Sequence, residues 1–151
     1  MQIVKDAVSF EEEVIPTYER ENRGFKGYVV GLDYLRAANI RCQGRWSLVL
    51  FSAPDIANVM LPLHNHPIEI IPLSGLSESA AGQRLKHLPK DQLPDCWERI
   101  SAQKERDFSQ TYICLESENG VFKHVDGLHR LLAYVLFEKD AEVPAYIADR
   151  S

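Results

Sequence analysis

The chain has 151 residues, 45% of them hydrophobic and 26% charged. That suits one domain with its own core and excludes a disordered, collagenous or disulfide-rich chain. Acidic residues outnumber Lys and Arg by 22 to 17, for a net charge of −5, which argues against a nucleic-acid partner, and no apolar run approaches the roughly 18 residues of a membrane span.

The segment Met1 to Glu13 carries four acidic residues and one Lys, so it lacks the basic start and apolar stretch of a secretory signal. Cys42, Cys96 and Cys114 are scattered and contain no CxxC pair, the usage of reduced thiols in the cytoplasm. Val8 to Arg23 reads as helical. Ser9 is the expected N-cap, the Glu11 to Glu13 run complements the helix dipole, and Pro16 argues for a break or a second start. Tyr28 to Gly31 is a short apolar run. Arg45 to Phe51 reads as a buried strand, and Ile56 to Met60 as a short helix or strand.

Leu63 to His66, bracketed by Pro62 and Pro67, is expected to be irregular. Ile68 to Leu73 follows as a strand candidate that Pro72 either weakens or places at an edge. Ser74 to Pro94 is polar and turn-rich, and is the segment expected to be most mobile. Leu93 to Arg106 has helical spacing with Asp95 as its cap. Thr111 to Leu115 and Val121 to Val125 form a hairpin across Asn119-Gly120. Leu128 to Phe137 is an apolar helix, and Val143 to Ile147 a closing strand that Pro144 pushes towards an edge. The reading is therefore α+β, a small mixed sheet with packed helices in a single domain. Residues 1–67 form an N-terminal α/β extension, either joining the sheet or packing on it.

Chemistry concentrates at Asp126-Gly127-Leu128-His129-Arg130. A strand ends, Gly127 turns the chain, and a helix begins, so free backbone N–H groups favour an anion there. Arg130 is suited to grip a phosphate or carboxylate with two parallel bonds. The structural alternative is that Asp126 simply caps the helix while Arg130 pairs with a surface carboxylate. His64, His66 and Glu69 form a second candidate, a divalent-metal set. Cys96, near a helix start, reads as a buried thiol rather than a nucleophile.

The stretch Phe122 to Tyr134, with Asp-Gly-x-His-Arg at its centre, resembles the signature of the ParB/sulfiredoxin-like superfamily. Ile70 to Leu76 resembles the opening strand of that domain, and Glu142 to Ile147 its closing strand, so the likeness covers residues 68–148. The superfamily includes DNA-partition CTPases, sulfiredoxins and free-serine kinases, and this form of the motif is most like the kinase branch. The resemblance implies ATP or ADP with Mg²⁺, phosphate bound by Gly127, His129 and Arg130, and Asp126 near a metal or a substrate hydroxyl. Glu69 and Glu78 are candidates for the Glu that this branch uses near its first strand. Leu128 stands where sulfiredoxins carry a catalytic Cys, which removes their chemistry.

The resulting expectation is a small-molecule enzyme of biosynthesis, a nucleotide-dependent transferase or kinase acting on a hydroxylated metabolite. On it, Arg130→Ala removes turnover and leaves the fold intact. Two alternatives remain open: nucleotide-free acid–base chemistry by Asp126, His129 and the His64/His66 loop, and a non-catalytic binding protein.

Overall fold

A computed structural model describes residues 1–24, 26–63, 66–72 and 94–150. Seven strands form one mixed sheet in the order β1-β2-β7-β5-β6-β3-β4. They span Gln2–Val8 (β1), Trp46–Phe51 (β2), Met60–Leu63 (β3), His66–Pro72 (β4), Ile113–Glu118 (β5), Val121–Asp126 (β6) and Val143–Asp149 (β7). The helices are Ile15–Glu21 (α1), Tyr28–Arg41 (α2), Ala53–Ala57 (α3), Pro94–Ala102 (α4) and Leu128–Leu136 (α5). Among the described residues, no helix is long and apolar enough to cross a membrane. The α+β reading holds.

Alternation along the strands divides the core into two layers. On β2, Val49 and Phe51 enter one cluster, and Trp46 and Leu48 the other. On β5, Ile113 and Leu115 oppose Cys114; on β7, Ala145 and Ile147 oppose Tyr146 and Ala148. The first cluster takes Ile56, Ile100 and Leu131 from α3, α4 and α5. The second takes Tyr18 from α1, and Leu35 and Ala38 from α2. The centre of the sheet is thus buried on both faces, which is why β7 reads as one continuous apolar run.

The N-terminal residues join the sheet: β1 pairs with β2, and β2 with β7. Ser9 caps the first helical turn, its side chain accepting the Glu12 N–H at 3.1 Å. That turn, Phe10–Val14, is π-helical before α1 begins. Pro16 sits in the first turn of α1, where its missing N–H does least harm, so the expected break is a change of helical pitch. The hairpin at Asn119-Gly120 has φ of 54° and 76°, as a two-residue type I′ turn requires.

Two expectations are corrected, at Asp95 and at Pro144, and two segments gain an assignment. Tyr28 to Gly31 opens a 14-residue helix. Leu63 and His66 pair with each other across the β3–β4 hairpin, after a register shift between Pro62 and Leu63; His64 and Asn65 lie outside the described residues. Asp95 falls inside α4 rather than before it. Pro144 is not at an edge, because β7 lies between β2 and β5. It is tolerated as the second residue of β7, one position before β5 begins to pair at Ile113↔Ala145. Among the described residues the edges are β1, exposed over all but Val8, and β4, one of the two outcomes expected of Pro72.

Candidate functional site

The Asp126 to Arg130 segment stands where the end of β6 meets the end of α1 and the start of α5. The β5–β6 register jumps from Cys114↔Asp126 to Leu115↔His124, so Val125 is an extra residue. A bulge of this kind bends the strand and re-aims the residues beside it. Gly127 then adopts φ 111° and serves as the N-cap of α5 with no side-chain cap. Its carbonyl accepts the Leu131 N–H at 2.8 Å. Asp126 is therefore not the cap.

Gly127 is required twice over. Its φ is in the left-handed region, and a Cβ there would meet Ile113 Cγ2 at 2.9 Å and Arg130 Nη2 at 3.3 Å. Gly127→Ala is expected to lower stability by about 1–3 kcal/mol. Chemical denaturation of variant and wild type checks this, and coincident midpoints would disprove it.

Arg130 is buried, its side chain 7% exposed. Nη2 donates to Asp126 Oδ2 at 2.7 Å, and Nη1 donates to Glu21 Oε2 at 3.0 Å and to the Tyr112 carbonyl at 2.8 Å. Desolvation alone would lower its pKa, but Asp126 and Glu21 outweigh this and raise it. Asn22 Nδ2 adds a bond to Asp126 Oδ2 at 3.2 Å. Arg106 Nη2 also donates to Glu21 Oε2, while its Nε holds Thr111 Oγ1 at 2.7 Å and its Nη1 holds Gln103 Oε1 at 3.1 Å. Two arginines and two carboxylates form a closed, neutral network. Arg130 is its hub, rather than an arm extended to a ligand.

Above this network lies a cavity of about 400 Å³. One wall is the start of α5, with Leu128 and His129; another is α2, with Val30 and Tyr34. Arg23, Arg99 and Arg106 also line it. His124 borders the cavity too, and its Nε2 is buried with no hydrogen-bond partner among the described residues. Desolvation, assisted by the Arg130 charge and opposed by Asp126, lowers its pKa to about 4.

Residues 1–151 match a family described as a family of unknown function, DUF6309. The chain belongs to the DUF6309 family. No curated protein and no solved structure matches it. In this DUF6309 protein the structure brings Asp126, Gly127, His129 and Arg130 to one cavity. It does not bring the second candidate set to a describable site: His64 lies outside the described residues, and β4, which carries His66 and Glu69, is separated from β6 by β3. Among the described residues, no group of three His, Cys, Asp or Glu is placed to hold a metal ion. Glu78 lies outside the described residues. Cys42 and Cys114 are buried free thiols.

Glu21, Asn22 and Arg106 were not found from the sequence. One signal for Glu21 was present: an acidic residue in the last turn of α1 opposes the helix dipole, so a cation nearby is required to hold it.

Proposed function

We propose that this DUF6309 protein binds a phosphate- or carboxylate-bearing small molecule in the cavity, with the anionic head at the start of α5. The observation that carries the reading is that α5 begins without a side-chain cap at a cavity of about 400 Å³. The first N–H groups of a helix lack internal partners and attract negative charge. The volume is that of a small-molecule site. Arg23, exposed at the cavity, supplies positive charge, and Arg130 holds the floor rigid. The likeness of residues 122–134 to the ParB/sulfiredoxin-like signature points the same way.

Phosphoryl transfer from ATP would extend this reading, but the described residues do not fit Mg²⁺. That ion needs oxygen ligands free to coordinate it, and Glu21 and Asp126 are each already bound to arginine. No step of the proposal runs through a metal.

Titration of inorganic phosphate into ¹⁵N-labelled protein is expected to shift the amide resonances of Leu128, His129 and Arg130 and to raise the melting temperature. ATP and ADP, with and without Mg²⁺, belong in the same series. Phosphate that leaves those three amides unmoved refutes the reading.

A further inference from the structure

We propose that α2 carries a dimer interface, and that its occupant is α2 of a second copy of this chain, running antiparallel about a two-fold axis. The inference is independent of the ligand reading above, because the four residues that carry it, Val29, Asp33, Arg36 and Ile40, do not line the cavity.

The first argument is exposure. Val29 is 66% exposed and Ile40 76% exposed, and Asp33 and Arg36 between them are exposed as well. Steps of four, three and four residues separate the four. They therefore form one stripe along the helix, with the spacing of the a and d positions of a coiled-coil seam. At 3.6 residues per turn, every member of the stripe lies about 100° or more round the helix from Leu35 and Ala38, the residues that α2 buries. Large apolar residues held in water at that spacing mark a helix that pairs with another.

The second argument is self-complementarity, and it selects the occupant. The order along the stripe is apolar, acidic, basic, apolar. A two-fold axis between Asp33 and Arg36 sets Val29 against Ile40 of the second copy, and Asp33 against Arg36 of the second copy. The same axis repeats both pairs in the other direction, as an isologous interface requires. A parallel pairing would instead bring Asp33 to Asp33 and Arg36 to Arg36. Both charges are available for the pairing. Asp33 makes no ion pair or hydrogen bond among the described residues. Arg36 meets Glu11 at 3.6 Å, with the two side chains 49% and 71% exposed, and such a surface pair is worth little. Polar residues within a seam cost stability and fix its register. From Val29 to Ile40 the stripe spans about 16 Å. That is short against the roughly 1,200–2,000 Å² of a stable complex, so the expected dissociation constant is on the order of tens of micromolar.

The test is sedimentation equilibrium over about 5 to 500 μM, which brackets a constant of that order. Wild type is expected to pass from monomer to dimer. Asp33→Arg and Arg36→Asp each bring like charges together and should weaken the dimer at least about tenfold. Ile40→Ser removes both apolar contacts and should weaken it too. These positions are exposed, so the fold is retained, and far-ultraviolet circular dichroism verifies this. Recombination decides the matter. The double variant Asp33→Arg/Arg36→Asp reverses both charges in each chain and should dimerise within about threefold of wild type. An equimolar mixture of the two single variants should dimerise where neither does alone. Wild type that stays monomeric throughout overturns the inference and leaves the face to a different partner. A wild-type dimer indifferent to the charge reversals, or one whose loss the double variant and the mixture do not both repair, also overturns it by placing the interface elsewhere.

Discussion

Arg130→Ala is expected to lower the stability of the fold by about 3–5 kcal/mol, the range for breaking a buried ion pair by removing one partner. The cost arises mainly at Asp126. Glu21 keeps Arg106 when Arg130 is removed, whereas Asp126, 11% exposed, keeps only the neutral amide of Asn22. An uncompensated carboxylate is then left in a poorly solvated site, and the Tyr112 carbonyl loses its donor. A loss of this size is a large part of the roughly 5–15 kcal/mol that holds a domain together. The burial of the side chain argues against the expectation that Arg130→Ala spares the fold. Urea denaturation measures the loss. The double variant Arg130→Ala/Asp126→Asn should recover part of it, because the stranded charge is gone and the two sites interact directly. A single variant as stable as wild type would show that the network carries no net stability.

The part of the site that is contiguous in sequence was legible, and the part assembled by the fold was not. Asp126 to Arg130 announce a strand end, a glycine turn and a helix start, and each of those signals is local. Glu21 reaches Arg130 across 109 residues, and nothing near Glu21 specifies its partner. The elements divide in the same way. The β5–β6 hairpin is written in Asn119-Gly120, and α5 in its apolar spacing. Helix α2 was missed because its outward face is as apolar as its inward one. Val29, Val30, Tyr34 and Ile40 are exposed while only Leu35 and Ala38 are buried, so no single stripe stands out. Pro144 misled because proline is disfavoured inside a sheet, while its place near the start of β7 depends on where β5 begins, a tertiary fact. Of these exposed residues, Val30 and Tyr34 border the cavity.

His124 makes the protein sensitive to mild acid. In the unfolded chain a histidine titrates near 6.5; in the fold, desolvation brings His124 to about 4. Between those values the unfolded state binds a proton that the folded state refuses, so stability rises with pH across the window. The contribution is complete above about pH 6.5 and is lost progressively as pH falls towards 4. Its upper limit is about 3.4 kcal/mol, the interval from about 6.5 to about 4 at 1.36 kcal/mol per pH unit. Glu13, Asp55 and Asp107 have lowered pKa values. Their stabilisation is lost only as pH falls below the ordinary carboxylate range, so of these four groups it is His124 that acts in the interval from about 6.5 to 5. His124→Phe removes the titrating group and an unpartnered nitrogen at once. It should flatten the stability profile in that interval without a large loss at pH 7, since an apolar replacement for an unsatisfied polar group can be neutral. Urea midpoints at half-unit steps of pH compare the two proteins. A slope in the variant as steep as in wild type would assign the acid sensitivity elsewhere, and the His124 imidazole resonances, followed over the same range, give its pKa directly.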